Sequence, residues 1–290
     1  MFINRACTKD SMTLIDRVPE LVVPFGPEAS TGVDVRHVYD APYGDHEVVV
    51  VGSADVRAAQ AFQIEKDNMV LLGDAPENAD RDLRIGYADA SFLTLFRKGE
   101  SEDPANMLGV VRITDANPIT KHLITVEQVT ELTGEDYDQV FAHVVAETGQ
   151  DDPTKIYDIN TYGLSGDVIT RAFEGDRTLF DDAKGNLMFA MCREGIRAAR
   201  ERKATTALAF FNQDSIKAFT KRGYDWRTLN GYKPMQEVRP DSQGNIVRGL
   251  TLVPTILDIP EHVARMRAGV TPHLKDLADF MTRQGVDLSL

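Results

Sequence analysis

Between Leu187 and Tyr224 the chain reads as helix, strand, helix, and no other stretch constrains the fold as tightly. Met188, Met191, Cys192, Gly195, Ile196 and Ala199 recur at i, i+3, i+4, i+7, i+8 and i+11, which makes one apolar stripe of a helix with Gly185 and Asn186 before it. The opposite face is basic. Thr205 to Phe211 is a short apolar run with the character of a buried strand, and Asn212 ends it where a second helix can start. Gly223 stops that second helix.

Around this centre the remaining elements follow from pattern. Glu47 to Val51 reads as a buried strand, and Ser53 or Asp55 suits the cap of a helix running to about Asp67 with Val56, Ala59, Phe62 and Ile64 inward. Asp74 to Asp82 reads as acidic turns. Ser91–Arg97 and Met107–Thr114 read as antiparallel neighbours joined by a polar loop, and Asn117 with Pro118 breaks the pattern. Thr125–Thr133 and Tyr137–Glu147 look helical, and Lys155–Leu164 returns to strand. Arg227–Val238 and Arg248–Leu257 follow, separated by the turn cluster PDSQGN, with Pro254 pointing to an edge position for the latter. Two short helices, Pro260–Arg267 and Pro272–Gln284, end the chain. The expected architecture is α/β, a mixed and mostly antiparallel sheet with helices on both faces. Its expected divisions are an irregular arm over 1–46, a main domain over 47–260 and a helical extension over 261–290.

Composition narrows the function classes. A formal charge of −13 opposes general nucleic-acid binding or adhesion to an anionic membrane, both of which need a broad positive field. Cys7 and Cys192 are the only cysteines, and Cys192 lies on the apolar stripe, so a disulfide framework is not expected and a reducing compartment fits. The six histidines are scattered without zinc-ligand spacing, and no metal is expected. The start lacks a continuous apolar leader segment, and nothing approaches a bilayer-spanning length, so a cytoplasmic location is expected.

Three stretches resemble one family. Asn212, Phe219, Gly223 and Tyr224 reproduce the spacing of the last helix of the GNAT acyltransferase superfamily, N-x6-Y-x3-G-F, with Phe219 where the tyrosine would stand. Gly109 and Arg112 resemble the G-x-x-R strand of bacterial acyl-homoserine-lactone synthases, a branch of that fold. Tyr157–Leu164 sits where those synthases carry a W-E-x-S-R-F-like strand, with Asp158 at the Glu, Asn160 at the Ser and Thr161 at the Arg. The resemblance covers about Glu47 to Ile259 and extends to the related N-acyl amino acid synthases. It implies a V-shaped split between two central strands, here Lys155–Leu164 and Thr205–Phe211, that admits an acyl thioester.

By that resemblance Asp158 assists deprotonation of an attacking amine, with Asn160 beside it, and a capping or salt-bridging Asp is the competing reading. Backbone N–H groups hold the oxyanion. Tyr224, Tyr232 or water supplies the proton that Phe219 cannot. Arg112, Thr161, Phe211, Asn212, Phe219 and Trp226 are the candidate substrate contacts. The resemblance also implies no tightly bound cofactor, an acyl donor, and S-adenosylmethionine or an amino acid as the amine, although the Arg-rich segment that holds the former is not clearly present.

The Q/R-x-x-G-x-G/A loop that binds the diphosphate of coenzyme A is absent. FDDAKGN offers only Gly185, with Asp181 and Asp182 opposing an anion. Acyl carrier protein is therefore the preferred donor over acyl-coenzyme A. Arg193, Arg197, Arg200, Lys203, Lys217 and Lys221 form its candidate dock, a solvated helix face being the other reading.

Overall fold

The computed structural model describes residues 26–116, 121–240 and 246–290. Cys7, the break at Asn117 and Pro118 and most of the cluster after Pro240 lie outside them. The strands are β1 Val35–Asp40, β2 His46–Gly52, β3 Ala90–Arg97, β4 Gly109–Thr114, β5 Ile156–Leu164, β6 Thr206–Asn212, β7 Arg227–Thr228, β8 Met235–Pro240 and β9 Ile246–Asp258. They form one sheet in the order β1-β2-β3-β4-β5-β6-β9-β7, with β8 also on β9. Every pairing is antiparallel except β5 with β6. The parallel joint exists because a long helix carries the chain from β5 back to the start of β6, whereas a short loop joins the antiparallel neighbours β3 and β4.

That helix, α6 (Thr178–Arg202), dominates one face of the sheet, with α5 (Gly166–Phe173), α7 (Gln213–Lys221), α8 (Ile259–Arg267) and α9 (Pro272–Arg283) accompanying it. Val48, Val50, Leu93, Leu95, Val111, Tyr157 and Ile159 meet Leu187, Met188, Met191 and Ile196 in one continuous core. On the other face lie α1 (Val56–Leu71), α2 (Pro76–Arg84), α3 (Ile124–Thr133) and α4 (Tyr137–Thr148). Here the apolar contacts fall into two separate clusters, Val49, Val51, Phe92 and Val110 under α1 and α2, and Ile156, Leu208 and Ile256 under α3 and α4. Strict alternation along each strand sends successive residues to opposite faces, so one strand feeds both cores.

The expected fold class is the one found, a mixed, mostly antiparallel sheet covered on both faces, and several local readings change. Gly185 and Asn186 do not precede the central helix but lie inside it. Asn186 is fully buried, its carboxamide pairing with both the N–H (3.0 Å) and the carbonyl (2.8 Å) of Tyr43, and a Cβ at Gly185 would stand 2.8 Å from the Tyr43 ring. This pair anchors the β1–β2 turn on α6. Asp74–Asp82, read as turns, is largely α2, started by Pro76 and held by Arg84 on Asp80 at 2.8 Å. Val56 faces out, 41% exposed, because Asp55 is the cap and the inward stripe runs through Ala58, Ala61, Phe62 and Ile64.

Within the stretch read as an irregular arm, Val35–Asp40 forms β1, an edge strand too short and too exposed to show periodicity. Arg227–Val238 is not one strand but two, β7 and β8. Pro254 is interior rather than at an edge: it pairs with Phe210 of β6, and its carbonyl accepts from Leu229 N–H at 2.9 Å. In an antiparallel strand the N and C=O of one residue point the same way, so the missing donor faces the side where β7 stops.

Candidate active site

The ladder between β5 and β6 runs only from Ile156↔Thr206 to Ile159↔Ala209, although both strands continue. The cause lies on the other side of β5. There Arg112 pairs with Thr161 and Ile113 with Ile159, so Asn160 is an extra residue opposite β4. Such a bulge increases the local twist and bends the strand. Past it β5 swings away from β6, while β6 stays laddered to β9 through Asn212. A wedge results, with strand edges on both sides that have no strand between them.

At its upper end Asn68 of α1 fills the place of a missing strand. Its Nδ2 donates to Leu164 C=O at 2.8 Å and its Oδ1 accepts from Leu164 N–H at 3.4 Å. Gly163 permits this approach, since a Cβ there would stand 3.2 Å from Asn68 Nδ2 and 3.3 Å from Ile64. The wedge opens into a cleft of about 520 Å³, lined by Asn68, Tyr162, Lys184, Met188, Asn212 and Phe219 among others. Behind Met188 and Phe219, which line both spaces, lies an apolar cavity of about 30 Å³ between β5, β6, α6 and α8.

Asp158 is fully buried on the α3 side of the sheet. Its two oxygens accept from Thr125 N–H at 3.1 Å and Thr125 Oγ1 at 2.5 Å, so it caps α3, whose own N-cap residue Leu123 has no side chain to offer. Burial nevertheless pushes its carboxyl up to about 6, against the pull of those bonds. It is thus both a helix cap and a weaker acid than an ordinary aspartate. Asn160 sits close enough to favour the carboxylate, yet neither end of its carboxamide makes a hydrogen bond that meets normal geometry among the described residues. Among the described residues Thr161 Oγ1 and Tyr162 Oη are likewise buried without hydrogen-bond partners.

Phe211, Phe219, Tyr224 and Trp226 are brought together on the opposite side. Phe211 stacks on Phe219 with centroids 4.9 Å apart, Trp226 meets Phe211 edge-on at 4.9 Å, and Tyr224 meets Phe219 edge-on at 5.5 Å. Gly223, at φ 92°, makes the turn that delivers Tyr224, and a Cβ there would stand 2.7 Å from Thr271 Oγ1. Asn212 caps α7, its side chain accepting from Ser215 N–H at 2.8 Å, and it lines the cleft.

Other expected contacts are not gathered there. Arg112 is buried under α1 and α2, donating to Leu83 C=O at 2.6 Å and facing Glu65 at 3.5 Å. Tyr232 hydrogen-bonds Glu135 at 2.6 Å and packs with the cluster under α3 and α4. The basic run on α6 meets the chain's own groups: Arg193 lies 3.9 Å over the Tyr39 ring and bonds Gln284, Arg197 pairs with Glu194 and Glu201, and Arg200 pairs with Asp287. Lys217 pairs with Asp214, whereas Lys203 and Lys221 are exposed.

Three residues that pattern reading passed over belong to the site. Asn68 follows Ile64 by four on the inward stripe of α1, and a carboxamide at a core position is itself a signal. Lys184 precedes Met188 by four on α6 and reaches the cleft, and burial with Arg222 nearby holds it below the usual lysine range. His262 lines the cavity from α8. Among the described residues no cluster of His, Cys, Asp and Glu could hold a metal ion, and no helix is long and apolar enough to cross a membrane.

No protein-family model and no curated protein matches the chain. Among solved structures it is similar to FeeM, an N-acyl amino acid synthase from uncultured soil microbes, at 11% identity over 75% of this chain and 95% of that one, with a TM-score of 0.41. It is similar to BjaI, a CoA-dependent acyl-homoserine lactone synthase with SAM and isopentyl-CoA, at 13% identity over 82% and 88%, TM-score 0.43. The acyl-homoserine lactone synthase LasI is similar at 12% identity over 79% and 91%, TM-score 0.40.

Proposed function

We propose that this chain is an N-acyltransferase that moves an acyl group from a thioester to a small-molecule amine. The observation that carries the reading is the wedge: a bulge at Asn160 parts two parallel strands, and the gap joins an open cleft to an apolar cavity. A pantetheine arm lies along the β5 edge, displacing or extending the Asn68 contact, and its acyl tail passes between Met188 and Phe219. The carbonyl then sits against free strand-edge N–H groups, which stabilise the oxyanion. Asp158, ionised above pH 6, accepts the amine proton directly or through water. The thiolate leaves and takes a proton from water, the Tyr224 phenol lining the cavity that receives the tail.

The donor is acyl carrier protein in preference to acyl-coenzyme A, since among the described residues one cation, Lys184, lines the cleft and a diphosphate loop is lacking from the sequence before the central helix. An amino acid or S-adenosylmethionine supplies the amine. The test is transfer from paired acyl-carrier and acyl-coenzyme A donors to a panel of amines. A higher kcat/KM with the carrier is expected, and equal or lower values would exchange the donor assignment. Because both Asp158 oxygens serve α3, a binding module without turnover is the second reading. Absence of transfer from every donor would favour it.

A further inference from the structure

The cavity behind Met188 and Phe219 is apolar except at one end, where Tyr224 and His262 stand with ring centroids 5.0 Å apart and planes 19° from parallel. They are 5% and 3% exposed. Neither Tyr224 Oη nor either ring nitrogen of His262 has a hydrogen-bond partner among the described residues. Folded chains rarely leave buried polar atoms unpaired, and both residues line this one apolar space, so their unpaired atoms mark a place for a ligand's polar group.

The chemistry of that group follows from the pair. Burial, with Arg265 adding and Asp225 opposing, pushes His262 down to about 4, so at neutral pH its ring is uncharged, with one donor and one acceptor nitrogen. Burial also keeps the Tyr224 phenol protonated. The two rings therefore offer donors and an acceptor but carry no charge themselves. A hydroxyl, which both donates and accepts, meets both needs.

We propose that this end of the cavity selects an acyl group bearing a hydroxyl at its end remote from the thioester, held between Tyr224 Oη and a His262 ring nitrogen. The assignment of that ligand as an acyl group rests on the transfer reading above, but its recognition does not need turnover. A plain alkyl end leaves all three polar atoms unpaired, the condition under which polar sites discriminate best.

Trp226 lines the cavity and is the chain's single tryptophan, so its emission reports occupancy directly. The full chain is titrated with decanoic acid and with ω-hydroxydecanoic acid. The hydroxy acid is expected to bind about tenfold tighter, the span of one to two net hydrogen bonds. Tyr224→Phe, which keeps the ring, and His262→Leu should each erase most of that preference while leaving decanoic acid binding in place. Equal affinities, tighter binding of decanoic acid, a preference that survives both substitutions, or no change in emission with either acid overturns the proposal. A tenfold preference without transfer from any thioester would remove the transferase reading and leave the hydroxyl site standing.

Discussion

The two faces of the sheet are built differently where the wedge opens. On the α6 face the core is continuous, the cleft and cavity are separated by two movable side chains, Met188 and Phe219, and the lining is aromatic and methionine-rich. On the α1–α4 face the core is interrupted, and polar groups on β5, Asp158, Asn160 and Thr161, stand at the seam between two helix pairs. The difference teaches a division of labour: one face can take an apolar tail, and the other can hold a proton. Methionine suits the former because it repacks at small cost.

The comparison breaks first at Asp158. Asp158→Asn is expected to lower kcat by a factor on the order of 10² to 10⁴ if the polar face holds the base, measured as steady-state transfer. An unchanged kcat would reduce Asp158 to a helix cap. Its titration has a definite sign: the folded-state carboxyl is raised from 3.8 to about 6, so its contribution to stability is complete below the lower value and is lost as pH rises through the upper one, by about 3 kcal/mol. Glu65, raised from 4.5 to about 7 because burial outweighs Arg112, adds a loss of the same sign. Denaturant midpoints between pH 4 and 7 should show both, and Asp158→Asn should flatten the lower half. Activity should rise over the same interval.

On the apolar face, Phe219→Ala removes the wall between cleft and cavity. It should cost about 3 kcal/mol of stability, read by denaturant titration, and move the preferred donor toward longer chains, read by kcat/KM across a chain-length series. Asn68→Ala strips the surrogate pairing of Leu164 and should cost about 1 to 2 kcal/mol, a buried backbone group being left unpaired. Protection of the Leu164 amide from hydrogen exchange measures it.

The smallest effect belongs to the basic run of α6. Because Arg200 already pairs with Asp287 at the surface, whereas Arg197 also holds the buried Glu194, Arg200→Glu alone should shift stability by no more than about 1 kcal/mol. A several-fold rise in KM for acyl carrier protein alone, with KM for acyl-coenzyme A unchanged, would keep these residues as a dock. Equal KM values would leave them as surface.

Much of the frame was legible because it is local. The 3.6-residue stripe from Met188 to Ala199, the apolar run before Asn212, the Asp55 cap and the Gly223 stop each state their structure within one or two turns. Where reading erred, a distant group had decided the matter. Gly185–Asn186 resembles a loop until Tyr43, far along the chain, supplies both bonds to Asn186. Pro254 resembles an edge residue until β7 is seen to stop beside it. Arg112 resembles a cleft residue until Glu65 and the Leu83 carbonyl close around it.

The sequence by itself determined most of the segments that are helix and strand and the order in which they follow. Those facts reside in spacing and propensity, which act over a few residues. Only the tertiary structure decided that Asn160 is the extra residue that parts the strands, that Asn68 occupies the gap, and that Tyr224 and His262 meet in an apolar space. Each depends on register or packing between elements far apart in sequence, and the free energy of those contacts exists only once the sheet has closed over its two cores.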